Sequence, residues 1–349
     1  MILDLLCNDG SPIGVIPADI EGRGVGGAEL AMMSLCSTLA RRGHTVRVYN
    51  DPTQPGEHDG VFYLPLAAYE NRLPRDAIII YRSPNKRYDP RHMAPKVKKV
   101  WWSTDQYTIG DFRALAYLVD YVVTISDYHT KYHRDRYGIG AEKIGHIDLG
   151  VRVGEYQRAP VDRVQNSLLF CSIPDRGLRV LHAAWPLIQT VVPDATLTIT
   201  SDYRLWGVDA RNAEHRLMWA EHRGVSFLGK VARSQLVQIQ MASEIMSYPC
   251  TYEELFCISA AECQVAGALP VTSGAGALPT TNEWGILILG EPTEPDFVKR
   301  FVERITSLLT KERDYLEKRR ETMRLLAARR FDWDVIAARW EKVLTEGRL

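Results

Sequence analysis

Short apolar runs alternate with amphipathic helical segments along almost the whole of this 349-residue chain. That rhythm constrains the fold more than any other feature. A strand that is apolar on both faces must be covered on both, and a strand–helix–strand repeat places the strands parallel with helices on either side. In the first half, strands are predicted at Ile2–Cys7, Thr45–Tyr49, Ala77–Tyr81, Lys99–Trp102, Tyr121–Thr124 and Gly145–Ile147. A helix over Gly27–Arg42 carries Ala28, Ala31, Met32, Leu35 and Leu39 at helical spacing, and Gly43 supplies a left-handed stop. A polar, helix-poor linker is expected over Gly150–Val164. The rhythm then restarts, with strands at Ser167–Cys171, Ala195–Thr200, Val225–Leu228, Glu244–Tyr248, Ala268–Thr272 and Ile286–Leu289. The chain is helical after Pro295, with Lys311–Arg330 read as a solvated helix and Val335–Leu344 as a last helix capped at Phe331–Asp334. The expectation is an α/β chain of two Rossmann-like αβα domains, whose parallel sheets present the carboxyl ends of their strands to a cleft between them.

Bulk properties exclude several partners. Lys plus Arg and Asp plus Glu each number 43, so nothing argues for nucleic acid. No apolar run approaches the ~18 residues that span a bilayer, and Met1–Cys7 lacks the basic flank of a signal peptide. The six cysteines, at 7, 36, 171, 250, 257 and 263, form no C-x-x-C pair, so reduced thiols are expected, with no zinc site and no cofactor. The implied location is cytoplasmic.

Three segments carry chemistry. In the first, Glu254 stands in a loop before a predicted helix, Glu262 lies eight residues on inside it, and a strand follows. A helix N-terminus suits phosphate, and two carboxylates beside a diphosphate more plausibly face neutral hydroxyls. Phosphate flanked by hydroxyl-binding acids is what a nucleotide-sugar presents. The plain alternatives are a solvated loop for Glu253 and Glu254 and an exposed helix position for Glu262. Against the latter, Ile258, Ala260, Ala261, Val265 and Ala266 make that helix apolar, and a buried carboxylate needs a partner. In the second segment, Arg176 in Ser172–Leu178 follows a strand and opens a helix. A cation is unfavourable there unless an anion is near; the alternative is a surface arginine paired with Asp175 or Asp194. Lys230 and Val231 follow another strand and offer a second charge. In the third, Gly22, Gly24 and Gly27 match G-x-G-x-x-G, with Asp51 as the acid a dinucleotide would require. The first strand ends near Cys7, too early for that fingerprint, so a loop bringing the amides of Gly26 and Gly27 to an anion is the better reading beside a plain flexible loop.

These residues resemble the retaining nucleotide-sugar glycosyltransferases of the GT-B fold, specifically glycosyltransferase family 4. The family's E-x7-E pattern appears as Glu254 and Glu262, with Phe256 between them, Pro249 ahead and Ala266–Ser273 behind. Its G-G-x-E appears as Gly26, Gly27 and Glu29, and its basic residue plus glycine as Arg176-Gly177. Lys143-Ile144 through Gly150-Val151 resemble its domain-closing segment, and Phe331–Trp340 its last helix. The implied boundaries are 1–155 with a returning helix at 332–349, and 156–331. Departures are equally specific. Leu255 and Cys257 stand where the family has glycines, Cys171 and Ser172 where it has an arginine, and Thr280 where it often has an acid. Ser103-Thr104-Asp105 stand where a histidine commonly faces the donor sugar, so Thr104 or Asp105 would replace it.

The resemblance implies metal-independent sugar transfer from a UDP- or GDP-sugar to an acceptor hydroxyl of a carbohydrate or lipid-linked acceptor. Glu254 would hold donor-sugar hydroxyls and Glu262 the ribose. Arg176, Lys230 and the amides near Gly27 and Cys257–Ile258 would face the diphosphate, and Asp105 would be a candidate base. Competing readings are an epimerase or phosphorylase on the same architecture and a noncatalytic nucleotide-sugar-binding subunit. Residues 86–99 hold six Lys or Arg against one Asp, so peripheral contact with the inner face of an anionic membrane is a further expectation, beside a merely solvated face.

Overall fold

The structure is a computed structural model that describes residues 1–7, 14–22, 24–82, 91, 93, 96–106, 112–158, 160–200, 202–206 and 211–349. The chain divides into two compact units. One comprises Met1–Ile20, Gly26–Gly150 and Asp332–Leu349; the other comprises Glu21–Val25 and Val151–Phe331.

The first unit holds β1 (Ile2–Cys7), β2 (Thr45–Tyr49), β3 (Gly56–His58), β4 (Val61–Leu64), β5 (Ala77–Tyr81), β6 (Lys98–Trp102), β7 (Tyr121–Thr124) and β8 (Ile144–His146). They form one sheet in the order β3-β4-β2-β1-β5-β6-β7-β8, parallel except for β3. The β3–β4 hairpin was not expected. Its strands are too short to alternate legibly, but Asp59-Gly60, both at positive φ, form a two-residue turn and were a readable signal. Helices α1 (Ala18–Gly22), α2 (Gly27–Arg41), α3 (Phe112–Leu118) and α4 (Asp127–Tyr137) follow in chain order. The last helix of the chain, α12 (Trp333–Glu346), packs on α2 within this unit. Asp332 caps it by accepting from the Asp334 amide at 2.7 Å, and Trp340 meets Trp102 edge to face at 5.0 Å.

The second unit is built on β9 (Ser167–Cys171), β10 (Thr196–Thr200), β11 (Val225–Gly229), β12 (Ile245–Tyr248), β13 (Leu269–Ser273) and β14 (Ile286–Ile288), all parallel, in the order β11-β10-β9-β12-β13-β14. Its helices are α5 (Leu178–Val191), α6 (Asn212–Ala220), α7 (Arg233–Ala242), α8 (Ile258–Ala266), α9 (Leu278–Thr281), α10 (Pro295–Thr310) and α11 (Arg313–Phe331). The core joins Leu168–Phe170, Leu181, Trp185, Ile245, Val271, Phe297 and Ile305. The stretch read as a helix-poor linker contains a 3-10 segment, Val153–Gln157. Nor is α11 simply solvated. Leu316, Met323, Ala327 and Phe331 form a buried stripe, and the helix packs on α8. The stripe is hard to read in the sequence because charged residues crowd the intervening positions. Much of segment 86–99 lies outside the described residues.

Candidate functional site

In the second unit the chemistry collects at the carboxyl ends of neighbouring strands. β9 leads through Ser172 into a one-turn 3-10 helix, Pro174–Arg176, and then into α5. Arg176 therefore precedes the α-helix and does not sit in its first turn. The break falls at Gly177, whose φ of 115° is left-handed and whose place a Cβ would make impossible by colliding with the Pro249 carbonyl. That close approach brings the β9 loop onto the loop after β12, where Glu254 lies.

Arg176 Nη1 donates to both carboxylate oxygens of Glu254, at 3.0 and 3.1 Å. Tyr248, the last residue of β12, donates its hydroxyl to Glu254 Oε1 at 2.5 Å and meets Ser172 Oγ at 3.1 Å. Burial pushes the Tyr248 phenol well above its ordinary value, with the Glu254 carboxylate adding to it, so the hydroxyl stays a donor. Burial works against the Arg176 charge, but the nearby Glu254 carboxylate outweighs it and the guanidinium is held above its usual range. The Arg176 side chain stays 30% exposed and lies over the Tyr252 ring at 4.6 Å. Glu254 is 4% exposed and so is no solvated loop residue.

Cys257 occupies the N-cap of α8 at φ 69°, a left-handed conformation that favours glycine, and it makes no side-chain cap bond. The first amides of α8 are thus not capped by a side chain. Phe256 is buried, with its ring against Phe331 at 5.9 Å, and supports the loop from the core side. One turn into α8, Glu262 is 3% exposed. Its partners are protein groups: Arg233 Nη1 donates to Oε1 at 2.7 Å and Gln240 Nε2 to Oε2 at 3.2 Å. Lys230 and Val231 follow β11, and Gly24 lies against both.

The first unit holds the other candidates. Gly26 is the N-cap of α2 and Gly27 its first residue; the Glu29 carboxylate folds back so closely that a Cβ on Gly26 would strike it. Arg82, a non-glycine residue at φ 70°, donates from Nε to Asp105 Oδ2 at 2.9 Å and reaches Glu29 Oε1 from Nη1 at 3.5 Å. Asp105 is therefore half of an ion pair. His129 is buried, and burial lowers its basicity well below the ordinary value. It is neutral and donates from Nε2 to the Asp105 carbonyl at 3.2 Å, since a carbonyl can only accept. Asp51, the acid the dinucleotide alternative required, accepts from the Leu66 amide at 2.7 Å. Among the described residues, no group of three or more His, Cys, Asp or Glu is placed to hold a metal ion, and no helix is long and apolar enough to cross a membrane.

Residues 165–311 match the family model described as glycosyl transferases group 1. This segment is similar to the glycosyltransferase domains that the model describes. No curated protein matches the sequence. Solved structures match nearly end to end. The sucrose-phosphate synthase from Thermosynechococcus elongatus has a TM-score of 0.72 at 16% identity, over 99% of this chain and 98% of that one. Anabaena HepE, solved with UDP and glucose, gives 0.69 at 17% over 99% and 100%. WaaG, a glycosyltransferase involved in lipopolysaccharide biosynthesis, gives 0.68 at 15% over 98% and 99%. At such identities the likeness is one of fold, and the fold is GT-B. Matched domain and fold together support a GT-B glycosyltransferase.

In this domain the structure pairs Arg176 with Glu254, which the sequence reading placed on separate duties. It also adds three residues that reading missed. Tyr248 carries no sequence signal, because a tyrosine at a strand end is ordinary. Gln240 is equally silent. Arg233 did carry one: it is a cation at the first position of α7 with no acid in that helix's first turn, the same anomaly that singled out Arg176.

Proposed function

We propose that the protein moves a sugar from a nucleotide-diphosphate sugar to an acceptor hydroxyl with retention at the anomeric carbon. The observation that carries this reading is the state of Arg176. Its side-chain hydrogen bonds among the described residues all run from Nη1 to Glu254, which leaves Nε and Nη2 of a partly exposed guanidinium for a ligand. A planar cation with donors to spare, in the same strand-end cluster as an uncapped helix N-terminus, suits a departing diphosphate.

In the proposed mechanism, Arg176, Lys230 and the first amides of α8 take up the charge that develops as the bond from the anomeric carbon to the diphosphate oxygen breaks. The reading needs no metal for this step. Glu254 has about four acceptor positions, of which Arg176 and Tyr248 use three. It therefore orients Arg176 and has room for one donor-sugar hydroxyl. Glu262 holds the ribose. The acceptor oxygen bonds to the anomeric carbon on the face the diphosphate leaves, and the leaving oxygen takes the acceptor's proton. Asp105 has no required step; a general-base role would show as loss of turnover in Asp105→Asn.

HepE was solved with UDP-glucose, which favours a UDP-sugar donor, and WaaG's pathway favours a carbohydrate or lipid-linked acceptor. The test is mass-spectrometric turnover of UDP-, GDP-, ADP- and dTDP-sugars, with and without an acceptor panel. Acceptor-dependent nucleotide release supports transfer. Conversion without acceptor means an epimerase or phosphorylase, and binding without turnover means a noncatalytic subunit. A crystal soaked with the donor must show it against Arg176, Glu254 and Glu262. Liposome sedimentation at low and high salt tests membrane contact through 86–99.

A further inference from the structure

We infer that Arg233 is a positioning residue for nucleotide recognition, holding Glu262 so that its two remaining acceptor positions face the two ribose hydroxyls. The inference rests on the sugar-nucleotide reading above. It comes from a closed ring of hydrogen bonds inside the second unit. Arg233 Nη1 donates to Glu262 Oε1 at 2.7 Å, and Nη2 donates to the Tyr156 oxygen at 3.2 Å. The Tyr156 hydroxyl donates to Gln240 Oε1 at 2.7 Å, and Gln240 Nε2 donates to Glu262 Oε2 at 3.2 Å. Arg233 Nε is taken by Glu155 Oε2 at 2.7 Å, and Arg152 holds the other Glu155 oxygen, also at 2.7 Å.

Every bond in the ring runs in one sense, from the guanidinium towards the carboxylate. A carboxylate cannot donate, so it fixes the Gln240 amide with nitrogen towards Glu262, and hence the Tyr156 hydroxyl towards Gln240. All three Arg233 nitrogens are committed within the protein, and its side chain is 5% exposed. Buried in this way, it is turned to its protein partners and not to solvent. Glu262 differs. A carboxylate accepts about four hydrogen bonds, and the ring uses two, one on each oxygen. One open position per oxygen matches a pair of vicinal hydroxyls. A purely structural ion pair would not need its cation at the first residue of a helix, where the dipole opposes it.

The experiment compares calorimetric binding of UDP and of GDP with that of their 2′,3′-dideoxy analogues to the full chain, with inorganic pyrophosphate as a third probe. In the wild type, loss of both hydroxyls should weaken binding at least about tenfold, as expected for hydrogen bonds to a charged group. Arg233→Lys keeps the charge but cannot bridge Glu155, Glu262 and Tyr156 together. It should bring the two affinities within about threefold, a size set by the same bonds, and leave pyrophosphate binding unchanged. Gln240→Met removes one donor with little change of shape and should give an intermediate ratio. It decides the matter if the lysine variant does not fold. Folded variants that discriminate as strongly as wild type overturn the role of Arg233. A wild type that binds the diphosphates but ignores the ribose hydroxyls overturns it too, and shows the fault to lie in the reading of Glu262. Absence of any nucleotide binding removes the functional proposal itself.

Discussion

Glu254 and Glu262 stand eight residues apart, are both nearly fully buried, and each meet one arginine. The two arginines are used in opposite ways. Arg233 spends all three nitrogens on protein acceptors and is sealed from solvent. Arg176 spends one and keeps part of its side chain open. A guanidinium is a fork whose value to a ligand depends on how many tines are left over. By that measure Arg233 is a holding residue, and Arg176 is the cation with donors left for the proposed ligand.

The largest test of this contrast is stability. Glu262→Ala removes a partner from a buried cation and should cost about 3 kcal/mol. Glu254→Ala should cost about 1 kcal/mol or less, because a partly exposed arginine can rehydrate. Denaturant midpoints for the two variants decide it, and equal losses would break the comparison. Next is catalysis: Arg176→Ala should lower kcat about 100-fold, with a much smaller change in nucleotide affinity. A change confined to Kd would make Arg176 a binding residue only. Tyr248→Phe should then lower kcat/KM about tenfold, the value of one hydrogen bond to a carboxylate, with nucleotide Kd unchanged.

The smallest effect concerns a third such pair, nearer to water in the first unit. Arg42 donates to Glu341 from α2's C-terminal flank, and His44 also contacts it. The Arg42 hydrogen bonds hold the Glu341 carboxyl below its ordinary 4.5, at about 2. A depressed carboxyl contributes stability above its unfolded value and loses it as pH falls through the folded one. The wild-type advantage over Glu341→Gln should therefore be full at pH 7, shrink below pH 4.5 and vanish near pH 2. Urea midpoints at pH 7 and pH 3 measure it, and a pH-independent difference would show that packing of α12 on α2 dominates.

Much of the architecture was legible because burial on both faces leaves a periodic trace. The strands at Ile2–Cys7, Ala77–Tyr81 and Ser167–Cys171 stand where the apolar runs put them. The Gly56–Leu64 hairpin escaped because three- and four-residue strands carry too little pattern, and only its Asp-Gly turn spoke. Glu254 and Glu262 were legible as a pair, because spacing along one loop and helix is local. Their partners were not, since 78 and 29 positions separate each acid from its arginine.

The amino-acid order by itself determined most of the longer strands and which carboxylates lie just beyond one of them, since these follow from short-range periodicity. Only the tertiary structure decided which cation each acid meets. β9 and β12 pair directly although two strands intervene in the chain, and Gly177 lets their loops touch. An ion pair depends on separation in space, and strand order in a parallel sheet is set by the packing of the crossover helices, which no local spacing records.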